Sequence, residues 1–320
     1  MKYFTKTNFI ILLLLIALLF TACSSLFPEK IQQAPPEDSS LSSGDSSSNG
    51  SSSEDSSEDS SSEDTPSPPP APPKLGWVEE NGRRYYYEEA DVMSTGWVTI
   101  EEQEYYFLPS GAMATGKVII DDQTHFFGHD GSELILVNPW NYLPEDYEPE
   151  VVTIDNHWLK VSVECYDALN ELLAACRADG NTPYVASAFR SHGDQKWLYQ
   201  NKINRLIAEG YSSEEANKLA GTVVAVPGTS EHELGLALDL VDDSYRNLDE
   251  AQENTAAQKW FMEHSWEYGF ILRYPNDKSD ITGIIYEPWH YRYVGKTIAE
   301  EIYKSGLCLE EYIESLTFDE

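Results

Sequence analysis

Residues 24–74 are dominated by Ser, Asp, Glu and Pro, including the run "EDSSLSSGDSSSNGSSSEDSSEDSSSEDTPSPPPAPPK". Such a composition cannot bury enough apolar surface to offset the entropy of ordering the chain. Folding is therefore confined to residues 75–320. The run also holds much of the acid. Lys and Arg total 21 and Asp and Glu total 55, so the net charge is 21 − 55 = −34. A chain this acidic offers no field to attract nucleic acid. Its Pro-rich end, "TPSPPPAPPK", is stiff and extended, and the whole run spans about 40 Å on average. Those are the properties of a tether.

The segment before the tether has a different texture. "MKYFTKTNFIILLLLIALLFTACSS" places Lys2 and Lys6 before an apolar run over residues 9–20. That run is short for a bilayer span but suits a signal peptide over residues 1–22. "LFTAC" resembles a bacterial lipobox, which implies lipidation of Cys23 and an anchor on the outer face of the cell membrane. Plain secretion after cleavage near Ala22 is the alternative. Three further cysteines, Cys165, Cys176 and Cys308, cannot all pair with one another. Cys165 and Cys176 fall on one expected helix, about 16 Å apart at about 1.5 Å rise per residue, beyond disulfide reach. Buried free thiols are expected.

Residues 75–134 repeat with a period of 20, starting at Gly76, Gly96 and Gly116: "GWVEENGRRYYYEEADVMST", "GWVTIEEQEYYFLPSGAMAT" and "GKVIIDDQTHFFGHDGSELI". Each unit reads as strand, turn and aromatic strand. A single hairpin cannot bury both faces, so neighbours must stack. The pattern resembles the cell-wall-binding repeats of Gram-positive surface proteins, including choline-binding modules, whose aromatic cages hold a quaternary ammonium. Those repeats carry Trp just before the paired aromatics. Here the positions are Arg84, Glu104 and Thr124, and Lys117 replaces the third leading Trp. Choline itself is thus doubtful. Attachment to a wall polymer and a spacer whose aromatics pack on each other both fit.

From residue 135 the chain alternates helices and strands. "VSVECYDALNELLAACRADG", "GDQKWLYQNKINRLIAEG", "ENTAAQKWFMEHSWEYG" and "KTIAEEIYKSG" have helical spacing and end at Gly. "SSEEANKLAG" opens with a capping box from Ser212 to Glu215. "TPYVASAFR", "ELGLALDLVD" and "IIYEPWHYRYVG" read as strands, the last interrupted at Pro288. The order helix–strand–helix–helix–strand–helix–strand–helix indicates an α+β domain over residues 135–320.

"TSEHELGLALDL", residues 229–240, begins like the helical zinc motif H-E-x-x-H, but Leu236 stands where the second His is required. Leu234, Leu236, Leu238 and Leu240 alternate with Gly235, Ala237 and Asp239, which is strand periodicity. His232 at the entrance and Asp239 on the small-residue face make one two-ligand arm. "YEPWHYRY" supplies a second, because a kink at Pro288 can turn Glu287 and His290 to one side. Two His, one Asp and an open fourth position form a catalytic zinc set.

These residues also carry a family resemblance. "SEHELGLALD" matches the S-x-H-x-x-G-x-A-x-D motif, and "EPWHYRY" the E-x-W-H motif, of VanY-type zinc D-Ala-D-Ala carboxypeptidases. That group is shared with lysostaphin and hedgehog. "SAFRSHGDQ" and "YGFILRYP" are similar to two further family segments. The resemblance implies a zinc peptidase domain with a small central, mainly antiparallel sheet flanked by helices, preceded here by the β-hairpin repeats. It implies that His232, Asp239 and His290 bind Zn2+ and that Glu287 is the catalytic base. It implies that Arg190 stabilises the oxyanion or pairs with the substrate carboxylate, and that Gln195, Ser230 and Tyr274 line the pocket. The other histidines, His125, His129, His157, His192 and His264, lack partner motifs and read as structural or exposed.

The implied reaction removes the terminal D-Ala from peptidoglycan stem peptides. L,D-carboxypeptidase action on tetrapeptide stems and endopeptidase action on cross-links would use the same chemistry. A wall-binding protein with a retained peptidase fold is the non-enzymatic alternative, and the intact Glu287 argues against it.

Overall fold

The computed structural model describes residues 72–101, 103–154 and 158–319. The expected signal peptide, Cys23, the tether up to residue 71 and His157 lie outside the described residues. Among the described residues no helix is long and apolar enough to cross a membrane.

The three repeats fold as three hairpins in one register. Strand β1 (Gly76–Glu80) pairs with β2 (Arg83–Glu89), β4 (Gly96–Ile100) with β5 (Gln103–Phe107), and β6 (Gly116–Ile120) with β7 (Gln123–Phe127). The leading glycines face Tyr87, Phe107 and Phe127 respectively. A short β3 (Val92–Met93) adds to the first hairpin. Asn81-Gly82 and Asp121-Asp122 all have positive φ, as tight two-residue hairpin turns require. Each leading Trp inserts against the next repeat: Trp77 lies 5.1 Å from Tyr105 and 5.8 Å from Phe107, and Trp97 lies 5.9 Å from both His125 and Phe127. In the first of these notches the Arg84 guanidinium stacks 4.1 Å from the Trp77 ring centroid. The notch therefore already holds a cation of the protein's own.

In the following region, β10 (Pro183–Ser187), β11 (Ala237–Asp242), β12 (Phe270–Leu272) and β13 (His290–Tyr293) form a sheet in the order β10-β11-β13-β12, antiparallel throughout. A separate pair, β8 (Val151–Thr153) and β9 (Lys160–Ser162), leads into helix α1 (Val163–Ala178). Leu169, Leu172, Leu238, Leu240, Phe261, Phe270 and Tyr291 are all fully buried in one core. Helices α2 (His192–Ala208) and α3 (Ser213–Gly221) follow β10, and the capping box at Ser212–Glu215 is formed. Cys165, Cys176 and Cys308 are buried free thiols.

Two expected strands are shorter than their patterns. Residues Glu231–Leu234 form a 3-10 turn, and β11 begins only at Ala237. Gly235 causes the break. Its φ is +74°, and a Cβ there would lie 3.0 Å from the Ser162 backbone nitrogen. At Pro288 the chain turns tightly, with the His290 N–H donating to the Glu287 carbonyl at 3.1 Å. β13 therefore starts at His290. The expected helix over residues 253–268 is α4 (Ala256–His264) followed by a 3-10 turn (Ser265–Tyr268).

After the short α5 (Ser279–Thr282) and α6 (Lys296–Ser305) comes an unanticipated helix, α7 (Leu309–Ser315). The third repeat and the C-terminal helices share a core: Leu134 and Phe126 pack with Ile298, Ile302, Tyr312 and Leu316. The last residues bind β6 directly. The Lys117 N–H donates to the Thr317 carbonyl (2.8 Å), and the Asp319 carboxylate accepts from the Thr115 N–H (3.0 Å) and pairs with Arg83. A fragment starting at residue 135 would uncover this core. Burial of one side chain such as Leu134 stabilises by about 1.5–3 kcal/mol. The fragment should therefore melt several degrees below the chain that retains residues 75–134, as followed by circular dichroism. Equal melting temperatures would show that the shared core contributes nothing.

Candidate metal centre

Asp239 projects from the middle of β11, where it faces His290 at the start of β13. His232 reaches the same point from the 3-10 turn. His232 Nε2 lies 3.5 Å from Asp239 Oδ1, and His290 Nδ1 lies 3.3 Å from the same oxygen. One ligand atom from each residue fits within a 4.8 Å cluster, and all three side chains are buried. Ligands at about 2.0–2.1 Å in a tetrahedral shell lie about 3.3 Å apart, so the two His–Asp separations are those of groups sharing an ion.

An outer partner fixes which nitrogen His232 presents. His232 Nδ1 lies 2.8 Å from the Ala188 carbonyl, which can only accept, so Nδ1 carries the proton and Nε2 offers a lone pair. His290 lies between two carboxylates, Glu231 at Nε2 (3.5 Å) and Asp239 at Nδ1 (3.3 Å); burial opposes its charge, but the two acids raise its pKa to about 9. Asp239 Oδ1 is itself buried without a hydrogen bond. A divalent cation taking the centre would displace the His290 Nδ1 proton and receive one electron pair from each of the three residues. The residues present therefore fit a divalent metal. Burial opposes charge on Asp239, but His232 and His290 offset it and hold its pKa well below the usual carboxylate range.

Glu231 was not singled out from the sequence. Its Oε1 accepts from Arg273 Nε (2.8 Å) and Arg292 Nη1 (2.9 Å), and all three side chains are essentially inaccessible to solvent. Burial disfavours the carboxylate, yet the two guanidiniums and His290 together depress its pKa strongly. Arg273 also pairs through Nη1 and Nη2 with Glu310 of α7, at 2.8 and 2.6 Å. A Glu231→Gln substitution keeps the size but weakens the grip on His290. It should lower metal affinity by about 10–100-fold, measured by competition with a chromophoric chelator. An unchanged affinity would remove Glu231 from the outer shell.

Glu287 stands outside the three-residue cluster, with Oε2 3.7 Å from His290 Nδ1. Burial pushes its pKa up to about 7, with His290 pulling it down and Asp239 pushing it up. A carboxyl group in that range can both accept and return a proton near neutrality. Arg190 enters from the loop after β10. Burial lowers its pKa, while Asp239, Glu233 and Glu287 favour its charge. The cleft above these groups has a volume of about 310 Å³, with Arg190, Ser230, His232, Asp239, Tyr274, Glu287 and His290 on its wall beside Val223, Ile284 and Trp289. Tyr274 packs against His290 at 4.7 Å between ring centroids.

The expected role of Gln195 as a pocket-lining residue needs correction. Its side chain is completely buried and does not reach the cleft. It accepts from Arg190 Nη1 at 2.7 Å and donates to the Ala225 carbonyl at 2.6 Å, so it braces Arg190 from behind. His192 pairs at 2.8 Å with Glu233, whose other oxygen accepts from the Gly228 N–H at 2.8 Å. That pairing holds the loop before His232 and involves no metal ligand. His125, His129 and His264 each pair with a carboxylate away from the cleft.

Comparison with known proteins agrees with this geometry. Residues 158–296 match the family of VanY D-alanyl-D-alanine carboxypeptidases, and residues 94–140 match the choline-binding repeat. A D-alanyl-D-alanine carboxypeptidase of Enterococcus faecalis is 44% identical over 180 residues, which are 56% of this chain and 65% of that protein. The chain thus spans just under two thirds of that relative. A solved VanY D,D-pentapeptidase from a VanB-type vancomycin resistance cassette, in complex with Zn(II), is 44% identical with a TM-score of 0.51. The match covers 56% of this chain and 97% of that one. The LdcB LD-carboxypeptidase is 34% identical with a TM-score of 0.52, covering 63% of this chain and 95% of that one. With nearly the whole of two solved relatives matched at such identity, the chain belongs to the VanY D-alanyl-D-alanine carboxypeptidase family.

Proposed function

We propose that this protein is a zinc-dependent D-alanyl-D-alanine carboxypeptidase that removes the terminal D-Ala from peptidoglycan stem peptides outside the cell. The observation that carries the reading is the convergence of His232 Nε2, His290 Nδ1 and Asp239 Oδ1, with Glu287 just beyond them. His232, Asp239 and His290 hold Zn2+. Bound there, the ion supplies Lewis acidity that makes water nucleophilic near neutral pH and polarises the scissile carbonyl. Glu287 takes the proton from the attacking water and returns it to the leaving amine. Arg190, braced by Gln195 and Ser187, donates to the developing oxyanion or to the substrate's terminal carboxylate. Ser230 and Tyr274 shape the wall on which the terminal residue rests.

The zinc complex of the VanY relative supports the metal, and both relatives support a carboxypeptidase. The repeats attach the enzyme to the wall, through a ligand other than a choline seated in the first notch, where Arg84 already sits. Cys23 carries the lipid anchor, and residues 23–74 tether the enzyme between membrane and wall. The likeness to LdcB favours L,D-carboxypeptidase action as a second reading. Defined pentapeptide and tetrapeptide stems separate the two. The first reading expects loss of one D-Ala from the pentapeptide and a stable tetrapeptide. Faster cleavage of the tetrapeptide would replace it with the second.

A further inference from the structure

Two large aromatic side chains beside segments that lead into the cleft wall are left in solvent. Trp140 is 63% exposed and Tyr142 is 62% exposed. They belong to a rigid turn. The side-chain oxygen of the buried Asn138 accepts from the backbone N–H groups of Trp140 and Asn141 and from Asn141 Nδ2, at 2.8–3.0 Å. Asn138 Nδ2 in turn donates to Glu310 at 3.1 Å, the carboxylate that pairs with Arg273. The turn is thereby fixed to the same buried network that supports Glu231.

Both rings abut the segments that build the cleft. A Cβ at Gly283 would lie 3.1 Å from Trp140 Cη2, and Gly283 immediately precedes Ile284 of the cleft wall. A Cβ at Gly228 would lie 3.5 Å from Tyr142 Cδ1, and Gly228 leads to Ser230 on the same wall. The Leu143 N–H donates to the Gly228 carbonyl at 2.8 Å, closing the contact. Exposed aromatics on a preorganised turn beside a cleft mark a recognition surface.

We propose that Trp140 and Tyr142 form a stacking platform for the neutral N-acetylated amino sugar that bears the stem peptide. This inference rests on the carboxypeptidase reading and deepens it. A pyranose ring presents a face of C–H groups that fits an aromatic ring, and its hydroxyl and amide edges suit the adjacent exposed Asn141. A five-residue stem spans about 17 Å when extended, so with its terminal residue in the cleft its sugar lies well away from the metal cluster. A polyanionic wall polymer is a poor match, because Glu145, Asp146, Glu148 and Glu150 follow the turn in a chain of net charge −34.

The test compares a free pentapeptide with the same pentapeptide attached to its disaccharide. Trp140→Ala with Tyr142→Ala should raise KM for the disaccharide substrate about tenfold at unchanged kcat, and leave both constants for the free peptide unaltered. Trp140→Phe should restore most of the loss. A KM change equal on both substrates, or none on the disaccharide substrate, overturns the platform. Independently of any hydrolysis, titration with the neutral trimer of N-acetylglucosamine should shift the Trp140 indole resonance, identified by its absence in Trp140→Ala. If neither substrate is cleaved, the carboxypeptidase reading fails. A shifted Trp140 resonance would then still support the sugar platform, and an unmoved one would overturn it.

Discussion

Replacing Glu287 by alanine should cut turnover on a pentapeptide stem by about 10²–10⁴-fold while bound zinc stays at about one equivalent. The two readouts separate because Glu287 lies outside the three-residue cluster. Its carboxylate oxygen Oε2 lies 3.7 Å from His290 Nδ1. Loss of its side chain removes a proton carrier but leaves His232, Asp239, His290 and their outer partners in place. Burial sets its pKa at about 7, so at neutral pH it exchanges a proton at little cost in either direction. The experiment measures kcat and zinc content on the same preparation. If zinc leaves with the activity, Glu287 is a ligand and its assigned role is wrong.

The second large effect is on metal binding. His290→Ala should abolish zinc retention and, with it, hydrolysis. His290 contributes Nδ1 to the cluster and touches Glu231 through Nε2, so its removal deletes a ligand and disconnects the outer shell. In the unsubstituted protein, zinc at about a thousandfold over its dissociation constant should stabilise the fold by about 4 kcal/mol. His290→Ala should show no zinc-dependent rise in melting temperature. A rise of the same size in the variant would mean that zinc binds elsewhere.

The candidate metal cluster was legible because its residues sit in distinctive local patterns. His232 and Asp239 are seven residues apart, and the alternating leucines declare a strand whose other face is free for a carboxylate. Pro288 declares the turn that presents Glu287 and His290. The hairpins were legible for the same reason, since each spans only 20 residues. Glu231 was missed because its partners Arg273 and Arg292 are 42 and 61 residues away, and burial is what turns those three charges into one unit. Gln195 was placed in the pocket because its motif neighbour Arg190 is there, and only the packing shows it standing behind. Strand β12 is three residues long, too short for a period to register. The shared core between the third repeat and α6–α7 depends on contacts such as Thr115 to Asp319, 204 residues apart. No local pattern encodes a pairing at that separation.

The most direct measurement is a zinc titration of the metal-stripped protein with a pentapeptide stem present, following released D-alanine and bound metal together. Activity should be absent at the start, rise in proportion to bound zinc, and reach its plateau at one equivalent per chain. Rapid release of D-alanine by protein verified to hold no metal would contradict a centre built from His232, Asp239 and His290.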